Sequence, residues 1–140
     1  MVRNFKNADI DKIMEIWLNS NIEAHNFIDK SYWEKNFEMV KNALPQSEIY
    51  IYEENNNIIG FVGLVKNYIA GIFVEKNFRG KGTGKKLLDY AKSIKNNLTL
   101  NVYEKNIDAV KFYKREGFIV EKFGIDKSTD EKEFMMSWEK

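Results

Sequence analysis

The chain has 140 residues, with 22 basic side chains against 21 acidic ones and a formal charge of +1. That balance argues against a dedicated nucleic-acid binder, which usually shows a strongly basic face, and an apolar fraction of 44% argues against a disordered chain. There is no cysteine, so a disulfide framework, a thiol nucleophile and a cysteine-ligated zinc are all ruled out.

The length suits one domain over residues 1–140, since single cores of roughly 100–150 residues are the commonest size. No apolar run approaches the roughly 20 residues of a membrane span, and the first residues lack the apolar core of a signal peptide. The expectation is a cytoplasmic protein with no membrane partner.

Val2–Phe5 reads as a first strand. Asn7 or Asp9 can cap a helix whose core face is Ile10, Ile13, Met14 and Trp17. Asn19–Lys30 is less periodic and reads as a loop or short helix. Ser31 stands as the N-cap of a second helix, with Trp33, Phe37, Val40 and Leu44 on one face, stopped by Pro45. Ile49–Glu53 and Ile58–Val65 are strands around the turn Asn55-Asn56-Asn57. A tight turn at Asn67 leads into the strand Tyr68–Val74. A helix buries Leu87, Leu88, Ala91 and Ile94 and can end through a left-handed residue at Asn96-Asn97. Leu98–Val102 is a strand, Ile107–Glu116 a helix closed by Gly117, and Phe118–Lys122 with Glu133–Trp138 a terminal antiparallel pair. Early hairpins followed by strand–helix alternation predict a three-layer α/β/α sandwich around a mixed, mostly antiparallel sheet.

The most informative stretch is Arg79-Gly80-Lys81-Gly82-Thr83-Gly84-Lys85, between the strand at Ile69–Val74 and the helix carrying Leu87. A helix N-terminus offers unpaired N–H groups and the positive end of the macrodipole, and glycines let a phosphate approach the main chain. Arg79, Lys81, Lys85 and Lys86 add positive charge. The residues predict a phosphate or pyrophosphate site. A P-loop does not fit, because Arg79 stands where its first glycine belongs and Lys86 where its Ser or Thr belongs. A dinucleotide fingerprint fails at Lys85, where its third glycine belongs.

The pattern that fits is R-x-x-G-x-G, from Arg79 to Gly84, and here the chain resembles the GCN5-related N-acetyltransferases. A second signature is similar: the strand Leu98–Tyr103, then Asn106, Ala109, Phe112, Tyr113, Gly117 and Phe118 in the family's N-x-x-A-x-x-F-Y-x-x-x-G-F spacing. Flanking segments Asn26-Phe27-Ile28, Tyr32-Trp33 and Ile59–Gly63 also resemble small bacterial members. The resemblance implies the acyl-CoA N-acyltransferase fold, acetyl-coenzyme A as acetyl donor, and a gap between splayed strands that receives its pantetheine arm. It implies pyrophosphate binding by Arg79–Lys85, and pantetheine pairing by the main chain of Ile72, Phe73 and Val74. It implies a backbone N–H, here that of Val74, as the oxyanion donor. Asn106 is a helix cap in its own right and by resemblance a cofactor neighbour, with Ala109 and Phe112 packing beside the arm.

Tyr113 is the candidate general acid. The alkyl thiolate expelled from a thioester has a conjugate acid near pKa 8.5, and a phenol near 10 is a close match. The general base is less defined: His25 is the only histidine and titrates in the right range, while Glu23, Tyr50, Glu133 or an ordered water could also serve. The acids Asp126, Asp130, Glu131 and Glu133 can attract a cationic amine or form a solvated hairpin. No metal is implied. The reading is direct acetyl transfer to a primary amine, with a non-catalytic acyl-CoA-binding or sensor module as the alternative. The acceptor is a small-molecule or peptide amine, unspecified among polyamine, antibiotic, amino acid, peptide N-terminus and protein lysine. Exposed strand edges allow a homodimer.

Overall fold

Strand patterning decides which residues build the sheet. In β2 (Glu48–Glu54), Ile49 and Ile51 face one side and Tyr50 and Tyr52 the other; in β3 (Asn57–Val65), every residue from Ile59 to Leu64 is buried. That marks β3 as a central strand covered on both faces. A computed structural model of residues 1–140 adds β1 (Val2–Asn4), β4 (Tyr68–Val74), β5 (Asn97–Tyr103), β6 (Ile119–Asp126) and β7 (Glu131–Glu139). The seven-stranded sheet has the order β1-β2-β3-β4-β5-β7-β6. Only β4 and β5 are parallel; every other neighbouring pair is antiparallel.

Helices cover both faces. α1 (Ile10–Ala24) and α2 (Lys30–Ala43) bury Ile13, Met14, Ile16, Trp17 and Trp33 against Ile49, Ile51 and Phe61. On the opposite face, α3 (Thr83–Ile94) and α4 (Ile107–Arg115) bury Leu87, Leu88, Ala91, Val110 and Tyr113 against Leu98, Leu100, Val102 and Met136. This is the expected α/β/α sandwich around a mixed, mostly antiparallel sheet.

Several local expectations need correction. α1 runs on to Ala24 through the segment expected as a loop or short helix; its periodicity fades because Ser20 and Asn21 are buried without being apolar. The cap of α2 is Asp29, whose Oδ1 accepts from Ser31 N–H at 2.9 Å, and Ser31 lies inside the helix. α3 ends at Lys95 in extended backbone, not in a left-handed Asn96 or Asn97. The tight turn expected at Asn67 is present and spans Lys66 and Asn67, with Lys66 in the left-handed conformation. β6 and β7 are longer than expected, because charged residues stand on the exposed faces of this outer pair.

The parting of β4 and β5 shapes everything around it. Their pairing is confined to Tyr68↔Thr99 and Ile69↔Leu100. Beyond that point β4 stays with β3 and β5 stays with β7 along its whole length. Glu75 N–H donates to Ile59 O at 2.9 Å, one residue beyond the Val74↔Gly60 register position. Val74 and Gly60 are therefore a non-hydrogen-bonded pair, and so are Ile72 and Val62. The main-chain groups of Ile72 and Val74 point away from β3 into the gap, whereas those of Phe73 are committed to β3. The expected free backbone at Phe73 is corrected by this register.

Gly60 permits the close approach of these strands. A Cβ there would stand 2.8 Å from Phe73 O and 3.3 Å from Leu87 Cδ1. Gly60→Ala is expected to destabilise the fold by about 1–3 kcal/mol through overpacking against backbone, read from the urea midpoint. An unchanged midpoint would show that β3 and β4 can separate at this position.

Candidate active site

The gap opens into a cleft of about 930 Å³. One wall is the end of β4 and the last turns of α1, the floor is the glycine loop, and the far wall runs from Lys105 to Tyr113. Two turns of backbone make the loop possible. Gly80 has φ 78° and Gly82 has φ 84°, conformations that L side chains rarely adopt, and nothing lies within 4 Å of where either Cβ would stand. Gly82 is the N-cap of α3, and the first helical bond is Lys86 N–H to Gly82 O at 3.0 Å. The N–H groups of Thr83, Gly84 and Lys85 therefore have no partner within the helix. Together with the positive end of the helix they form an anion seat.

The nearby cations take other duties. Arg79 Nε donates to Val74 O at 3.0 Å, its Nη2 to Ser20 Oγ at 3.3 Å, and its Nη1 pairs with Glu23 Oε2 at 3.1 Å. It ties the end of β4 to α1. Lys85 reaches Asp89 at 3.0 Å and Glu116 at 3.2 Å, joining α3 to the end of α4. The ammonium of Lys81 lies 5.6 Å from the centre of the Phe78 ring, and Lys81 alone of the stretch Arg79–Lys85 does not line the cleft. The loop's main-chain N–H groups are left free, whereas Arg79 and Lys85 are engaged in bracing contacts within the protein.

Asn106, Ala109, Phe112 and Tyr113 all line the far wall. Asn106 caps α4, its Oδ1 accepting from Ala109 N–H at 3.4 Å. The Tyr113 ring packs edge-on against Phe112 and Phe118, with centroids 5.2 and 5.5 Å away. Burial, reinforced by Tyr68, pushes the Tyr113 phenol well above the ordinary tyrosine range. The phenol stays protonated at neutral pH, but its match to the departing thiol is poorer than the ordinary tyrosine value suggests.

His25 has a different character from the one its solution chemistry suggests. It is the C-cap residue of α1, its N–H donating to Asn21 O at 3.0 Å. Its ring is stacked on Trp33 at 5.2 Å and met edge-on by Tyr103 at 5.1 Å and Phe27 at 5.7 Å. Burial lowers its pKa to about 4. An imidazole that holds a proton so weakly is a poor base toward an ammonium ion. Its Nε2 lies 3.2 Å from Asn106 Nδ2.

The α1/α2 side of the sheet carries a second group of polar side chains. Tyr103, at the end of β5, packs on Phe27 at 5.7 Å and donates from its hydroxyl to Asp126 Oδ2 at 2.5 Å. Its register partner across β5–β7 is Glu133, whose carboxyl is raised by burial and by Asp126. Strand pairing thus brings together two of the four late acids, Asp126 and Glu133. Two more carboxyl and phenol groups considered as the base are engaged elsewhere: Glu23 is paired with Arg79, and Tyr50 donates to Glu48 Oε2 at 2.5 Å on β2. Ser20 and Asn21, which line the cleft from α1, are not legible in the sequence as site residues. Polar positions on a helix carry no mark that separates a cleft face from a solvated one.

Comparison with known proteins agrees with this geometry. The family model of the acetyltransferase (GNAT) domain matches residues 45–120. The Escherichia coli peptidyl-lysine N-acetyltransferase YiaC is 31% identical over 140 residues, covering 99% of this chain and 96% of its own. The solution structure of apo YjaB from Escherichia coli superposes with a TM-score of 0.87 at 26% identity, covering 99% and 96% of the two chains. A Bacillus anthracis acetyltransferase crystallised with acetyl coenzyme A is 31% identical with a TM-score of 0.61, over 67% of this chain and 62% of its own. The chain belongs to the GNAT N-acetyltransferases, and acetyl-CoA is its acetyl donor.

Proposed function

We propose that the protein transfers acetyl from acetyl-CoA to the side-chain amine of a lysine in a peptide or protein. The observation that carries the acceptor assignment is the pair Asp126 and Glu133 beside Tyr103, which packs on the α1/α2 side of the sheet. Glu133 has no cationic partner within the protein, so it is free to meet an ammonium group. Phe27 and Tyr103 offer aromatic walls to the alkyl stem of a lysine. The peptidyl-lysine acceptor named for YiaC supports the same reading.

The residues divide the work by position. The anion seat at Thr83–Lys85 holds the pyrophosphate of acetyl-CoA, and the free main-chain groups of Ile72 pair with its pantetheine arm. Val74 N–H donates to the thioester oxygen as charge develops on it; its own carbonyl is already held by Arg79. The acceptor nitrogen bonds to the carbonyl carbon, and the carbon–sulfur bond breaks. Tyr113 donates its proton to the departing sulfur.

The amine must first lose its own proton. With a pKa near 10.4 this costs about 4 kcal/mol at neutral pH. Glu133 receives that proton: its raised carboxyl is a better match to the ammonium than an ordinary glutamate. As the amide forms, the nitrogen sheds its second proton to solvent; Glu133 then releases its proton to solvent and the Tyr113 phenolate recovers one.

The acceptor assignment is tested with a short peptide bearing one lysine and a free N-terminus, read by mass spectrometry. Acetylation is expected on the lysine and is expected to vanish when arginine replaces it. Acetylation that persists on the lysine-free peptide would move the assignment to the N-terminal amine. Tyr113→Phe is expected to lower kcat by roughly 100- to 10,000-fold with little change in acetyl-CoA affinity, because the phenol acts as charge forms on sulfur. The loss should shrink for a donor with a more acidic thiol. Near-normal kcat with a working lysine peptide would reduce Tyr113 to core packing.

A further inference from the structure

The two walls of the cleft belong to different strands, and few side chains cross between them. Arg79 ties β4 to α1 and so stays on one wall. Lys85 joins α3 to Glu116 at the C-terminal end of α4. At the N-terminal end of α4, aromatic packing of Tyr103 on His25 and Phe27 is joined by one crossing hydrogen bond, between His25 and Asn106, 81 residues apart in sequence. Both line the cleft, and each terminates a helix: His25 closes α1 and Asn106 opens α4.

The hydrogen bonds determine which atom carries the proton. Asn106 Oδ1 is occupied by Ala109 N–H, so its Nδ2 is the end that faces His25. Nδ2 can only donate, so His25 Nε2 must accept and the imidazole proton must sit on Nδ1. Nδ1 is buried and has no partner. Natural cores rarely leave such a group unpaired, and an exception calls for a reason other than stability. The rings of Phe27, Trp33 and Tyr103 hold the imidazole in this one orientation.

We infer that His25 is a positioning residue: its Nε2 accepts from the Asn106 amide and clamps the first turn of α4 to the end of α1 across the gap. The first turn of α4 carries Ala109, and the next carries Phe112 and Tyr113. Loss of the clamp lets the far wall drift from β4, which weakens acetyl-CoA binding before it harms chemistry. A proton on Nε2 would set donor against donor and break the bond. The clamp therefore requires a neutral imidazole, in keeping with the lowered pKa.

The single histidine allows a direct test on the intact protein. Imidazole nitrogen NMR is expected to show the Nδ1–H tautomer and no titration between about pH 5 and 8. A midpoint near 6.5, or the Nε2–H tautomer, would overturn the clamp whatever the enzyme's acceptor. The kinetic arm rests on the acetyl-transfer reading. His25→Leu is expected to raise KM for acetyl-CoA roughly tenfold, the effect of one lost hydrogen bond with a buried amide left unpaired. His25→Gln, with Oε1 standing near the place of Nε2, is expected to restore most of that loss and to keep the pH–rate profile of the native protein. A collapse of kcat in both variants with KM unchanged would overturn the clamp and return His25 to the role of base.

Discussion

The separation of β4 from β5 is the constraint on which the rest of the structure depends. A parallel pair that stayed together would consume the main-chain groups of Ile72 and Val74 in an ordinary ladder. Pairing confined to Tyr68↔Thr99 and Ile69↔Leu100 leaves the main-chain groups of Ile72 and the N–H of Val74 facing the gap, while Arg79 takes the Val74 carbonyl. Unpaired backbone in a half-buried cleft is costly, and a ligand that supplies amide and carbonyl partners recovers that cost. The gap is thus a binding site by subtraction of one ladder. Each strand keeps its other neighbour, β3 for β4 and β7 for β5, so the fold holds although the centre of the sheet opens.

Around this opening, charge is used more for bracing than for contact. The loop of Gly80 and Gly82 exposes main-chain N–H groups at the start of α3, and these carry partial charge without a side chain in the way. Arg79, tied to Val74 O, Ser20 and Glu23, braces the end of β4 beside the Val74 N–H. Lys85 does the same between α3 and α4. A preorganised backbone site is useful because it needs no rearrangement when charge develops.

Legibility in the sequence follows the range of the interactions. Short-range patterns are readable: the core-facing sides of α1 and α2, the strand alternation, the glycine loop and the cap at Asn106. The family resemblance then implies the splay, which no local pattern at Tyr68–Val74 or Leu98–Val102 reveals. Features set by distant partners are not readable. The outward facing of Ile72 and Val74 depends on the register of β4 with β3, a separate strand. The weak basicity of His25 depends on Trp33, Tyr103 and Phe27 closing around it. The juxtaposition of Asp126 and Glu133 depends on pairing across β5, β6 and β7. Composition alone counts the cations of the loop as ligands, because a sequence shows charge without showing which acid or carbonyl has already claimed it.

The central claim is that alternate residues of β4 present free main-chain N–H groups to acetyl-CoA. Residue-resolved amide hydrogen exchange, with and without a non-hydrolysable acetyl-CoA analogue, tests it most directly. The account predicts rapid exchange at Ile72 and Val74 in the free protein, strong protection of both on binding, and protection of Phe73 in both states. Ile72 and Val74 already protected in the free protein, or unchanged when the analogue binds, would contradict it.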